Sequence, residues 1–446
     1  SISNVENATF DFTAAGSFNA ANTSMSVINV TAGAGVAATV NNIATGQRID
    51  LEDTHLDGVT LDYATDATAT ISLDATAGAQ TTDALTVTDA QTVNISTAGG
   101  ADTTLDAVTL DATETDFLTI TAGVAGSGLT MTGAAFGADD IQTVTLTTSA
   151  TNAHLNLSPG STFLATADKL TTLTINADGD NSSDITVAAS GATAAAAALT
   201  SVTVTADNGA DVTVGAIDAE GASITTVSLT SSFTGSDITM SGLGLDGTNI
   251  TSIANITASA VAGATITISN IEATTVGQMT LSGAGTFTIN GSDMDITTLE
   301  MINAQSASGT VTVVMNSLGS ATIVNLGTGT NTYTASSFAD TVNLASGGGT
   351  DTVQAHNMDT NQNAIVVNNF QKGSSASDVI SVSGTNLEGT TFLASGVDLQ
   401  DGNGADMGAN AAMTIKEITA ATTLAAGDDV MIMVGATFAD TDAVET

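Results

Sequence analysis

The chain has 446 residues, 46 of them Asp or Glu against 4 Lys or Arg, for a formal charge of −42. That balance excludes nucleic-acid binding, which needs a basic stripe to displace counterions from phosphates, whereas Arg48, Lys169, Lys372 and Lys416 lie far apart. With no Cys there are no disulfides or thiolate sites, and no apolar run reaches the roughly 18 residues of a membrane span.

No signal-peptide pattern opens the chain, and Ser1 is not a Met, so the sequence reads as a processed or trimmed piece of something longer. Unpaired carboxylates in this excess oppose compaction through self-repulsion. Hard divalent cations with oxygen ligands neutralise them best, and calcium is the expected cofactor.

In 1–92, Ile2-Ser3-Asn4-Val5-Glu6 has the apolar-x-x-apolar-acid shape of Ile296-Thr297-Thr298-Leu299-Glu300, so the chain opens inside a stack of coils. Val27-Ile28-Asn29-Val30, Val59-Thr60-Leu61 and Ile71-Ser72-Leu73 continue it with less regular spacing. Between them Asp50, Glu52, Asp53 and Asp57 crowd together, with Arg48 and His55 nearby. A metal-binding loop and a solvated acidic turn both account for this cluster.

From 93 to 325 a repeat becomes regular. The anchors Val93, Leu118, Val144, Leu173, Val202, Val227, Ile253, Met279 and Leu299 recur at uneven intervals of roughly 26 residues. Nearly all open an apolar-x-apolar strand, and most are followed by a second such triplet, as in Leu129-Thr130-Met131, Ile185-Thr186-Val187 and Val311-Thr312-Val313. Both have the period of two that turns apolar residues inward and hydroxyls outward. A unit this short cannot bury its apolar face alone. It must stack on its neighbours, which predicts an all-β, elongated β-solenoid or β-helix.

Asp184, Asp211 and Asp237 each immediately precede a second triplet, so stacking in register makes them a column about 4.8 Å apart. Asp178 and Asp207 stand in equivalent places after Ile175 and Val204, with Asp180 and Asn208 beside them. Calcium bridging and carboxylates splayed into water are both open at these corners. The Thr-rich outer faces also suit ice binding, but the uneven spacing of the anchors speaks against a flat lattice.

In 326–354 the period shortens. Leu326-Gly327-Thr328-Gly329-Thr330-Asn331-Thr332-Tyr333-Thr334 is followed by a segment keeping only Asp340 and Val342, then by Ser346-Gly347-Gly348-Gly349-Thr350-Asp351-Thr352-Val353-Gln354. These resemble the calcium-binding Gly-Gly-x-Gly-x-Asp-x-apolar-x nonapeptide of RTX β-rolls. The resemblance implies an ion between alternate repeats, pairing Gly327, Gly329 and Asn331 with Gly347, Gly349 and Asp351. A metal-free Gly-rich corner is the competing reading.

In 355–446 longer, more separated strands are expected at 364–370, 378–383, 413–418 and 430–434, forming a C-terminal β subdomain. Asn369-Phe370-Gln371-Lys372-Gly373 and Asp378-Val379-Ile380-Ser381-Val382 look like the segment after the nonapeptides in proteins exported by type I secretion.

Taken together, the chain resembles bacterial surface-layer (S-layer) proteins with RTX-type C-terminal halves. That likeness implies export, an extracellular place on the cell surface, and calcium-driven self-assembly into a two-dimensional lattice. Some members anchor to lipopolysaccharide through an N-terminal region, which is not recognisable here. A secreted calcium-stabilised adhesin or matrix filament is the alternative. Catalysis is not expected: the basic residues are scattered, His55, His154 and His356 are isolated, and sugar-gripping aromatics are scarce, with no Trp and two Tyr.

Overall fold

The computed structural model describes residues 5–33, 35–52, 55–76, 78–111, 113–132, 140–157, 167–187, 196–244, 250–290, 295–315, 318–336, 338–346, 348–355, 365–369, 378–382 and 432–434. Every regular element among them is a strand, and every strand pairing with a defined register is parallel. The chain divides into two compact units, Ser1–Thr251 and Ser252–Thr446, each a β-solenoid of stacked coils.

Within the first unit one ladder runs through Asn7–Phe12, Val27–Ala32 and Arg48–Glu52, and on through Phe117–Ala122, Thr143–Thr148, Thr172–Ala177 and Ser201–Ala206. A second runs through Gln80–Thr82, Thr103–Leu105, Gly128–Met131, His154–Leu157, Ile185–Val187 and Val212–Ile217 to Ile238–Leu243. The expected anchors stack one on the next: Val93 on Leu118, then Val144, Leu173, Val202 and Val227. All six are buried, because strict alternation turns each Val or Leu inward and each Thr outward. Burying such a side chain stabilises by about 2 kcal/mol, and no coil retains that gain without the coils beside it.

Uneven coil length does not disturb this register. Thr121 faces Thr147, and Thr147 faces Asn176 across a longer coil, yet all three occupy the same strand position. The added residues lie between strands, so the expected irregularity of the outer face is absent from the ladder itself.

In the second unit the ladders run through Thr286–Asn290, Val311–Val314, Asn331–Thr334, Thr352–Ala355 and Val379–Val382, and through Ile323–Asn325, Thr341–Asn343, Val366–Asn368 and Ile432–Val434. The C-terminal strands thus extend the same two ladders; 413–418 lies outside the described residues. One anchor is displaced. Met279 faces Ile302, and Leu299 faces Val276, because the long strands Thr265–Gly283 and Asp295–Ala307 pair in one register from Glu272 against Asp295 to Thr280 against Asn303; the register shifts only beyond these pairs, between Thr280 and Ser282.

Glycine sets one corner of this unit. A Cβ on Gly309 would overlap the Gly285 carbonyl oxygen, and one on Gly329 would overlap that of Gly309. Backbones cross this corner too closely for any side chain.

Candidate functional site

The expected outer column is present. Asp184, Asp211 and Asp237 precede Ile185, Val212 and Ile238, which face one another in register. The Asp211 N–H donates to Asp184 Oδ1 at 2.9 Å and the Asp237 N–H to Asp211 Oδ1 at 2.8 Å. Each carboxylate therefore caps the backbone of the next rung. Partial burial pushes the Asp211 carboxyl up, and the charges of Asp184 and Asp237 add to that, while the Asp237 N–H opposes it. Continuing up the ladder, the column passes to His154, Gly128 and Asp102, with Asp102 Oδ1 accepting the Gly128 N–H at 2.8 Å.

Asp178 and Asp207 follow Ala177 and Ala206, which pair, so they are neighbours as expected. An amide joins this corner: Asn208 Nδ2 donates to Asp178 Oδ1 at 2.7 Å. Asp180 bonds across to the preceding loop and within its own, accepting from the Asn152 N–H at 3.0 Å and the Ser183 hydroxyl at 2.8 Å, and these donors hold its carboxyl below the usual range. Among the earlier acids, Asp50 is taken by Arg48 in two hydrogen bonds of 2.6 and 2.7 Å. Asp53 lies outside the described residues.

The nonapeptide-like corner is the most enclosed. Its first and third copies lie on adjacent rungs, Thr332 facing Thr352, while the second copy belongs to the other ladder, where Thr341 faces Ile323. The position that carries apolar Phe287 and Val311 in earlier rungs carries Asn331, Asp351 and then Asp378, all buried. Asn331 Nδ2 lies 3.0 Å from Gly327 O, 3.0 Å from Gly329 O and 2.8 Å from Asp351 Oδ1. Its Oδ1 accepts the Val311 N–H at 3.2 Å, which fixes the amide orientation. Three oxygens thus converge on an uncharged donor in the manner of ligands on a cation.

One rung on, the same position holds a carboxylate. The Asp351 side chain has no N–H to offer neighbouring carbonyls, and its backbone N–H donates to Asp378 Oδ1 at 3.0 Å. Burial pushes the Asp351 carboxyl up to about 6, the Asn331 donors oppose this, and the Asp378 charge adds to it. Gly349 precedes Asp351 as Gly329 precedes Asn331; Gly347 lies outside the described residues.

Asp340 is occupied differently. It accepts from the Tyr333 hydroxyl at 2.7 Å, the Ser336 N–H at 2.8 Å, the Ser336 hydroxyl at 2.9 Å and the Thr322 N–H at 3.0 Å. Burial pushes its carboxyl up against these donors. It is a hub that ties one copy to both ladders and leaves little room for a metal.

Three further features emerge only in the fold. Asp378 belongs with Asp351, but it is remote in the chain and lacks the nonapeptide pattern. Asp62, Asp89 and Asp111 form another acid group: burial first, then Asp62, pushes Asp89 up, and the Asp89 N–H lies 3.4 Å from Asp111 Oδ2. Asn325, Asn343 and Asn368 make an amide ladder, with Nδ2 to Oδ1 distances of 2.7 and 2.6 Å. The signal for that ladder is Asn at the end of Ile323–Asn325, Thr341–Asn343 and Val366–Asn368.

Among the described residues no three His, Asp or Glu side chains gather as a metal set, so any ion here draws on main-chain oxygen as well. No family model, curated protein or solved structure matches the chain.

Proposed function

We propose that this protein is a non-catalytic structural subunit, exported to the bacterial surface, that calcium assembles into a two-dimensional surface layer. One observation carries the reading: carboxylates stack rung on rung, Asp184, Asp211 and Asp237 outside and Asp351 and Asp378 inside, on a chain with 4 basic residues. The two basic side chains in described segments already have carboxylate neighbours, Arg48 with Asp50 and Lys169 with Asp168 at 3.5 Å, so the columns draw no relief from them.

The residues suited to the inner ion are Asp351, Asp378 and the carbonyl of Gly349, an all-oxygen set matched to a hard cation. Calcium there neutralises two buried charges, and calcium at Asp184, Asp211, Asp237, Asp178 and Asp207 lowers the overall repulsion between copies. The Gly327, Gly329 and Asn331 corner needs none, since its amide already fills the position.

Calcium titration of the full chain, read by light scattering and electron microscopy, tests the proposal. A planar periodic sheet that dissolves in chelator is expected. Isolated fibres would favour the filament or adhesin reading, and an assembly unchanged in excess chelator would overturn the calcium mechanism.

A further inference from the structure

In the unit Ser1–Thr251, the outer face of the first ladder carries three columns that stay in register from the 92–97 rung to the 226–231 rung. The central one runs Asn94, Thr119, Thr145, Thr174, Thr203 and Ser228. The flanking columns begin at Thr92 and Ser96 and end at Thr226 and Thr230. Across these rungs the columns hold no charged residue, in a chain with 46 acids. No hydrogen bond within the described residues engages the hydroxyls of Thr119, Thr145, Thr174 or Thr203, and all four side chains are half-buried by their own neighbours.

We infer that this face is where a second copy of the chain docks. The inference rests on the self-assembling reading above and names the surface that reading lacks. Charge selects the face: elsewhere on the first ladder and along the second, a like copy would set Asp against Asp, as at Asp116, Asp178 or the Asp211 column, and like charges facing each other cost several kcal/mol. On the Thr columns no charge has to be desolvated.

The chemistry is self-complementary. A hydroxyl both donates and accepts, and so does the amide of Asn94 or Asn176, so a face made mostly of hydroxyls, with the exposed ring of Phe117 in one flanking column, can pair with its own copy across a two-fold axis. β-Branched Thr holds few rotamers, so little side-chain entropy is lost on contact. With rungs about 4.8 Å apart and about 3.3 Å of rise per residue, the face covers roughly 600 Å² per copy. Both copies together bury roughly 1,200 Å², the lower end for specific interfaces and suited to a reversible lattice contact.

The test compares the full chain with Thr119→Asp/Thr174→Asp, whose new carboxylates are not on adjacent rungs, with Thr174→Ser, and with Thr130→Asp on the second ladder, by sedimentation in saturating calcium. Circular dichroism checks that each variant keeps its strand content. The face variant is expected to associate at least about tenfold more weakly, with Thr174→Ser and Thr130→Asp unchanged. Wild-type association that the face variant retains would overturn this surface while leaving the calcium-driven assembly standing. A wild type that stays monomeric in calcium would overturn both. Wild-type chains that stay apart yet bind and shape ice would assign the columns to ice instead, and overturn the docking proposal.

Discussion

Asn331 and Asp351 occupy one strand position on successive rungs and differ by a single group, NH₂ against O⁻. At Asn331 the donor satisfies two glycine carbonyls and a carboxylate. Replacing it by Asn331→Asp removes the donor and sets a third buried carboxylate in line with Asp351 and Asp378. In chelator this variant should lose roughly 3 kcal/mol, regained largely on adding calcium, as measured by urea unfolding. Asp351→Asn should act in the opposite sense. The Asp351 carboxyl, near 6 in the folded chain against 3.8 unfolded, keeps its proton in the fold where the unfolded chain has lost it. Its stabilising share is therefore complete below about 3.8 and is lost as pH rises through about 6. After allowance for screening this amounts to on the order of 1–2 kcal/mol at neutral pH. Asp351→Asn in chelator should thus unfold at a higher temperature than wild type at pH 7 and lose that advantage near pH 4. An equal advantage at both pH values would show that the carboxyl does not titrate in this window.

At the level of strands and corners, much was legible in the sequence because period-two alternation is a local signal and stacking converts it into a ladder. Val93 to Val227 and Leu129 to Ile238 stand where the repeat put them, and Asp184, Asp211 and Asp237 followed automatically from their place before each triplet. Illegible features were those that depend on pairing between rungs. Nothing near Asp378 in the chain announces that it lies against Asp351, and the register that sets Met279 against Ile302 is chosen between two long strands with more than one apolar frame. The glycine corner also emerges only on stacking. Gly309→Ala should destabilise the second unit by several kcal/mol, since the new methyl meets the Gly285 backbone and the Gly329 position lies against Gly309 in turn. Gly100→Ala, whose Cβ would meet nothing closer than Ala125 O at 3.7 Å, should be close to neutral, which makes it the control in thermal unfolding.

For the whole molecule the governing quantity is a charge of −42, and repulsion of that size can be relieved in two physically distinct ways. Diffuse salt screens charges separated by more than about 10 Å at 0.1 M, whatever the cation. A bound divalent ion acts only where oxygens already converge, and it raises stability with ligand concentration by mass action. The two are separated by comparing calcium, magnesium and sodium at equal ionic strength. If the stacked carboxylates hold specific ions, millimolar calcium should raise the unfolding temperature well beyond sodium. Magnesium should fall between them, because it gives up its water reluctantly and asks for octahedral geometry that two carboxylates and a carbonyl do not supply. The calcium increment should shrink in Asp351→Asn and survive in Thr119→Asp/Thr174→Asp, since the first alters a residue suited to hold the ion and the second places carboxylates on rungs that are not adjacent. Equal effects of all three cations would reduce the role of the acid columns to general screening and would remove the basis of the proposed calcium-driven assembly.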